Sequence, residues 1–135
     1  MALKLTLKPN ERIIVNGCAL RNSGRRHVMI VESQADVVRG QDLLDAEAAA
    51  TPAAQVYFLV QTALTRSDLR EALAPAIRDR LATLSATSFA SAHRGDLMEA
   101  ATFIAMGDFY KALRALRPMM REEAAALPQA EDSAA

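Results

Sequence analysis

Cysteine and aromatic residues are scarce in this 135-residue chain, and their scarcity excludes several classes of protein. Cys18 is the single cysteine, so no disulfide can form within the chain, and tryptophan is absent. No apolar run approaches the ~20 residues that a membrane-spanning helix requires. The N-terminal residues alternate apolar with polar and lack the continuous apolar segment of a signal peptide. Together these absences predict a cytoplasmic protein without a membrane segment.

Sequence motifs for catalysis and metal binding are also missing. No glycine-rich phosphate loop occurs, and His27, His93 and Cys18 lack the spacing of metal ligands. His27 could face Cys18 across a turn as a nucleophile pair, but a strand cysteine beside apolar neighbours is more often a small core residue. We therefore predict that Cys18 is buried and dispensable. We predict no catalytic residue, no metal and no cofactor, and a protein that is not an enzyme.

The first forty residues have the pattern of β-strands. Leu3, Leu5 and Leu7 alternate with polar residues, which is the period of a half-buried strand. Asn16-Gly17 predicts a type I′ hairpin turn because both residues tolerate positive φ. The pattern predicts a meander or small barrel of four or five short strands, over residues 3–8, 12–15, 18–21, 27–31 and 35–38.

From Thr51 onwards the apolar period changes to that of helices. Thr51-Pro52 is typical of an N-cap followed by proline at the first helical position. We predict four helices, the second kinked or split at Pro75 and the third running over residues 88–106. The fold class is therefore α+β: a β module (1–44), an α-helical region (52–127) and a disordered tail (128–135). Because so few strand residues bury little core, the sheet must pack on the helices or pair with a second copy.

Positive charge is concentrated in the β half, although the net charge of the chain is zero. Residues 1–40 hold seven Lys or Arg against three acidic residues. A basic cluster around the predicted turn at residues 22–24 could grip phosphates, and an exposed solvated turn is the alternative. Phe, Tyr and Trp are absent from this half, which excludes base stacking of the RRM or cold-shock kind. The candidate RNA-binding residues are Lys4, Lys8, Arg21, Arg25, Arg26, His27 and Arg39.

Two pairs of aromatic residues lie at predicted helix starts, Tyr57-Phe58 and Phe109-Tyr110. One interpretation is structural, with one member of each pair buried and its neighbour at the rim of the core. The alternative is a groove that binds a helix of a partner protein. These four residues are therefore candidate partner-binding residues.

The sequence resembles the FlbT family of flagellin-synthesis regulators over nearly its whole length. The matching stretches are residues 3–12 (LKLTLKPNER), 14–17 (IVNG), 51–53 (TPA) followed by 56–58 (VYF), and 109–113 (FYKAL). The resemblance implies a protein that associates with the untranslated leader of flagellin mRNA and alters its translation and decay. It also implies antagonism with a second flagellar regulator, FlaF, and contact with flagellin as a further possibility.

The β half is also similar in layout to the CsrA family, small dimeric translational regulators whose strands are swapped between chains. The matching positions are Leu5-Thr6, Glu11, Ile13, Asn16-Gly17 and residues 38–43. That family grips RNA with two arginines, at positions that here read Leu7 and Gly40. Lys8 and Arg39 lie one step away, and a one-residue step turns a strand side chain to the opposite face. The resemblance therefore implies a related fold with a different binding mode.

The functional hypothesis is post-transcriptional regulation of flagellin synthesis by binding the 5′ untranslated leader of its mRNA, as a repressor in the commonest family pattern. The alternative is a protein-binding adaptor, chaperone-like towards flagellin or FlaF. Steep weakening by salt would favour direct phosphate binding over an apolar groove. A homodimer formed through the β module is predicted as well.

Overall fold

A computed structural model describes residues 2–126, apart from the side chains of residues 88 and 89. Within this range five strands precede five α-helices, which confirms the predicted α+β fold. The strands are β1 (Leu3–Leu7), β2 (Arg12–Val15), β3 (Cys18–Arg21), β4 (His27–Val31) and β5 (Val37–Val38). The helices are α1 (Pro52–Thr65), α2 (Arg70–Ser85), α3 (Ser88–Ala92), α4 (Arg94–Met106) and α5 (Phe109–Ala125). The tail predicted for residues 128–135 lies outside the described residues.

The strands form two small antiparallel sheets, and this arrangement differs from the predicted meander. β1 pairs with β4, while β2 lies between β3 and β5 in a second sheet. Leu5 and Leu7 of β1 are buried together with Ile13 of β2. Because these side chains pack face to face, β1 and β2 meet as layers and do not pair edge to edge.

The hairpin between β2 and β3 confirms the turn expected from Asn16-Gly17. Asn16 has φ 49° and Gly17 has φ 80°, the left-handed values that a type I′ turn needs at both positions. A Cβ atom at Gly17 would also lie 3.1 Å from the carbonyl oxygen of Leu64 in α1. Glycine therefore serves both the turn and its close approach to the first helix.

One core joins the three-stranded sheet to the helices. Ile14 of β2 and Val38 of β5 are buried in the same cluster as Val56 and Val60 of α1 and Leu116 of α5. Of the two possibilities left open by the sequence, packing of a sheet on the helices is thus realised for β3-β2-β5. The β1–β4 ribbon instead buries its inner face against β2 and β5, through Leu5, Leu7 and Val31.

Helix α1 begins where the sequence predicts, and α5 supports its first turn. The Thr51 hydroxyl oxygen accepts a hydrogen bond from the Ala54 amide at 3.2 Å, as an N-cap does. The carboxylate of Glu123, on α5, accepts from the Ala53 amide at 2.9 Å and is buried. A carboxylate is favourable there because it faces the positive end of the helix dipole.

The helices differ from the prediction in where they are divided, since α2 is not split and the third predicted helix is. α2 continues through Pro75, which lies in its second turn and removes one hydrogen bond near the helix start. The single helix predicted over residues 88–106 is instead divided at His93 into α3 and α4. The imidazole of His93 is only 10% exposed and lies 2.9 Å from a carboxylate oxygen of Glu122 on α5. This contact with another helix could not be read from local periodicity.

None of the helices within residues 2–126 is both long and apolar enough to cross a membrane.

Candidate nucleic-acid interface

The ends of four strands bring basic residues together at one end of the β module. Leu7, the last residue of β1, pairs with His27, the first residue of β4. Arg12, the first residue of β2, pairs with Arg21, the last residue of β3. The loops joining these strands therefore meet at a common surface, which we call the basic end; it comprises Lys8, Arg12, Arg21, Arg25, Arg26 and His27.

Asn22 holds the two loops of the basic end against each other. Its Nδ2 group donates to the carbonyl oxygens of Lys8, at 2.8 Å, and Arg25, at 2.7 Å. Two backbone hydrogen bonds of 2.8 Å tie the same loops, from Asn10 N to Ser23 O and from Asn22 N to Glu11 O. The backbone positions of Lys8 and Arg25 are therefore fixed relative to each other.

Most of the positive charge at the basic end is uncompensated. Lys8, Arg21, Arg25 and Arg26 are exposed, and none of them forms an ion pair with an acidic group within residues 2–126. His27 is exposed as well, and its Nδ1 atom lies 3.0 Å from the Asn22 side-chain oxygen, which orients the ring. A cluster of exposed cations without acidic partners is suited to binding a polyanion.

Arg12 is a member of this surface that was not identified from the sequence. It lies directly opposite Arg21, and two like charges in this position repel each other. Asp45 offsets the repulsion, because its carboxylate lies 2.7 Å from Arg12 Nη2. The signal was available, since a two-residue turn at Asn16-Gly17 fixes the register that places residue 12 opposite residue 21.

Arg39 and Lys4, two other candidates, lie apart from this cluster. Arg39 Nε lies 2.9 Å from Glu11 Oε2, and its Nη2 group donates to the Thr6 carbonyl oxygen at 2.9 Å. Lys4 is exposed but lies towards the far end of β1, opposite Ile30. RNA contact by these two residues stays a prediction, and the guanidinium of Arg39 is already committed to the protein.

The Glu11–Arg39 pair is an electrostatic anchor of the β module. Glu11 Oε1 accepts from the Lys8 amide at 3.0 Å, and Oε2 lies 3.4 Å from the Gly40 amide. The Arg39 guanidinium, followed by the Lys8 amide, lowers the pKa of Glu11 from 4.5 to about 2. The hydrogen bond to the Glu11 carboxylate, together with its negative charge, raises the pKa of Arg39. A Cβ at Gly40 would come within 2.9 Å of both Arg12 O and Glu11 Cγ, so this close approach requires glycine.

In each aromatic pair the first residue is buried and the second lies at the rim. Tyr57 is fully buried, and its hydroxyl donates to the Asp42 carbonyl oxygen at 2.6 Å. Phe109 is buried beneath the guanidinium of Arg70, which lies 4.8 Å from the ring centre. Phe58 and Tyr110 are half-buried. These two are the more exposed members of the pairs, and Tyr110 also lines a surface cavity of about 610 Å³ between the hairpin turn and the helices.

Cys18 is exposed, and the prediction that it is buried is wrong. All four residues of β3 are exposed, and this strand lies at the edge of its sheet. The prediction failed because apolar neighbours in sequence were taken as neighbours in a core. His27 is in the other sheet, so the turn does not join Cys18 and His27 as a hairpin pair.

Because Cys18 is exposed, the prediction that it is dispensable can be tested by a conservative substitution. Cys18→Ser is expected to change the free energy of unfolding by less than about 0.5 kcal/mol, since exposed substitutions away from special features have small effects. Urea denaturation followed by circular dichroism measures this change. A decrease of more than about 1 kcal/mol would mean that the thiol makes a contact that its exposure does not indicate.

Within the described part of the chain, no group of three or more His, Cys, Asp or Glu side chains is placed to hold a metal ion. The fold and the side chains thus define an α+β protein whose distinctive surface is a basic end on a small β module.

The chain belongs to the FlbT family: residues 3–127 match the family described as "Flagellar protein FlbT". A Rhodopseudomonas palustris (strain TIE-1) relative is 34% identical over 125 residues, 91% of this chain and 95% of its own. It is named "Probable flagellum biosynthesis repressor protein FlbT". A Caulobacter vibrioides (strain ATCC 19089) relative, "Flagellum biosynthesis repressor protein FlbT", is 40% identical over 60 residues, 44% of this chain and 43% of its own.

These matches confirm the resemblance to the FlbT family inferred from the sequence. No solved structure matches the chain. The likeness in layout to the CsrA family therefore rests on the sequence alone.

Proposed function

We propose that this chain regulates flagellum biosynthesis after transcription, by binding the 5′ untranslated leader of flagellin mRNA with its basic end. The names of the relatives support a regulator of flagellum biosynthesis, and both names describe a repressor. The observation that supports RNA as the ligand is the set of exposed cations without acidic partners, Lys8, Arg21, Arg25 and Arg26. Binding of an mRNA leader would take place in the cytoplasm.

The proposed mechanism needs occupancy and no catalytic step. Four exposed cations can contact phosphates and release counterions, which supplies most of the affinity for a nucleic acid. Phe, Tyr and Trp are absent from residues 1–40, so RNA would be recognised through its backbone and through arginine contacts with unpaired bases. A leader held in this way would be less accessible to ribosomes, which lowers translation.

Contacts with FlaF and flagellin belong to the same proposal and use the other side of the molecule. Tyr110 and Met106, the latter 71% exposed, line the cavity beside the α4–α5 junction. The lining of this cavity is mixed, since Asp36 and Arg70 lie there beside the apolar side chains, so a partner helix would have to offer both apolar and polar groups. If protein binding is the primary activity, the effect on mRNA is indirect, which is the adaptor alternative.

The test removes two cations from the basic end without touching the core. Arg21→Ala/Arg25→Ala is expected to fold normally and to bind flagellin leader RNA less tightly. The slope of log affinity against log salt should flatten by about two units, one for each phosphate that the variant no longer neutralises. Filter binding at several salt concentrations measures both effects. The matched control is Arg78→Ala/Arg80→Ala, because these two arginines are equally exposed but lie on α2.

An equal decrease of affinity in both double variants would show that RNA binding is diffuse and that the basic end is not the site. If the parent protein fails to bind the leader RNA even at low salt, direct RNA binding is wrong and the adaptor alternative replaces it.

A further inference from the structure

β4 is an edge strand with unusually apolar, exposed side chains. Val28 is 55% exposed, Ile30 52% and Met29 38%. Within the described residues β4 pairs only with β1, and no side chain bonds to the backbone of residues 28–31. The backbone of β1, in contrast, accepts a side-chain hydrogen bond from Arg39 at Thr6. An open apolar edge of this kind is ready to pair with another strand.

We propose that β4 pairs antiparallel with β4 of a second copy of this chain, forming a four-stranded sheet about a twofold axis. A twofold axis perpendicular to the sheet maps each face of the sheet onto itself. A side chain on one face therefore lies beside a side chain on the same face of the second copy. The register centred on Met29 pairs all five strand residues. In this register Met29 faces the second copy's Met29, and His27 faces the second copy's Val31.

On each face of the joint sheet, the side chains of one copy match those of the other copy that lie beside them. Val28 meets the second copy's Ile30, and this pair occurs twice, on the face that is now most exposed. Pairs of β-branched side chains stabilise antiparallel neighbours. Four exposed apolar side chains would thus become one continuous cluster across the twofold axis.

Charge selects this register as well. In the dimer Lys8, Arg21 and Arg25 remain the unpaired cations of the basic end. Just beyond the strand, Arg26 lies opposite the second copy's Glu32, and the symmetry makes this ion pair twice. Both residues are exposed, and neither has an ion-pair partner within the described residues of one chain. A register shifted by two residues in either direction leaves one strand end unpaired and breaks both ion pairs. The register, the apolar side chains and the charges of β4 are therefore all complementary to β4 of a second copy.

Charge exchange gives a direct test on the full-length chain. At about 50 µM the parent is expected to sediment at twice the mass of the chain, which corresponds to a dissociation constant in the low micromolar range or below. Arg26→Glu alone and Glu32→Arg alone each place like charges opposite each other. Each is expected to raise the dissociation constant about tenfold or more.

Combining the two charge reversals, at residues 26 and 32, is expected to restore the dimer. An equimolar mixture of R26E and E32R chains should form a heterodimer, since each position then faces an opposite charge. The double variant R26E/E32R should regain self-association for the same reason. Arg25→Glu is the matched control, because residue 25 lies opposite an uncharged residue, Ser33, and should leave the dimer intact. A parent that is monomeric, or single variants that the mixture does not rescue, would overturn the proposal.

Cross-linking tests the register independently. In a Cys18→Ser background, Met29→Cys should form a disulfide-linked dimer under mild oxidation, because directly opposed Cα atoms lie about 4.5–5.5 Å apart, within disulfide range. Ile30→Cys is the control one position away. Its twofold mate is diagonal and beyond the ~7 Å limit, so cross-linking should be much slower. Equal rates at both positions would contradict the register. These measurements need no RNA, so they succeed or fail independently of the proposed function.

Discussion

Replacing Asp42 with alanine is expected to destabilise the protein by about 3 kcal/mol. The Asp42 carboxylate is only 12% exposed and lies 3.5 Å from Arg117 Nη1 and close to Arg121 Nη2, both on α5. It lies just after β5, in a short 3₁₀ turn at Gly40–Asp42. Because the Arg117 side chain is itself only 18% exposed, removal of the carboxylate leaves a nearly buried cation without an acidic partner. The variant therefore weakens the joint between the β module and the helices.

Asp45→Ala is the matched control, three positions further along the same segment. Asp45 also pairs with an arginine, Arg12, but its side chain is 63% exposed, and such pairs contribute about 1 kcal/mol or less. Urea denaturation at neutral pH compares the two variants. If the free energy of unfolding falls equally in both, burial is not what makes the Asp42 cluster important.

Glu11→Gln is expected to cost about 2 kcal/mol at neutral pH, and the cost should depend on pH. Arg39 holds the pKa of Glu11 at about 2, below its ordinary 4.5, so the folded state favours the carboxylate. The stabilisation is present in full above pH 4.5 and is lost as the pH falls towards 2. Because the pair lies near the surface, solvent screening reduces its energy below what the shift alone implies. Glutamine keeps the shape of the side chain but not the charge.

The measurement is the difference in free energy of unfolding between parent and variant at pH 7, 4 and 3. This difference should shrink as the pH falls below 4.5, since residue 11 of the unfolded parent takes up a proton there, whereas the folded parent keeps its carboxylate until about pH 2. Asp68→Asn is the control: Asp68 forms an equally short pair with Arg66, 2.9 Å, but both side chains are more than half exposed. That variant should show no comparable difference. A pH-independent cost for Glu11→Gln would mean that shape, and not charge, anchors Arg39.

Local patterns in the sequence predicted the elements well. The alternation at Leu3–Leu7 and the turn at Asn16-Gly17 involve neighbours a few residues apart, where backbone preference and side-chain period act directly. The start of α1 was predictable for the same reason, because Thr51 and Pro52 act on the turn they belong to. Pro75 does not split α2, because one missing hydrogen bond near a helix start can be offset by packing on other helices.

The sequence predicted which residues carry the positive charge of the site better than it predicted which of them lie together. Arg21, Arg25, Arg26 and His27 stay together because a single loop carries them. Arg39 was placed among them by its charge, although the structure commits it to Glu11, twenty-eight residues away in the chain. Distant partners of this kind leave no local signal.

The sequence by itself determined the strands, the hairpin turn, the start of α1 and the concentration of positive charge in the first forty residues, because each depends on neighbours along the chain. Only the tertiary structure decided that β1 pairs with β4, that Cys18 is exposed and that the open edge belongs to β4. Those outcomes depend on which apolar faces meet. Leu5 and Leu7 are buried by stacking on Ile13 of the other sheet, so β1 pairs with β4 and not with β2, and the far edge of β4 is left unpaired within the described residues.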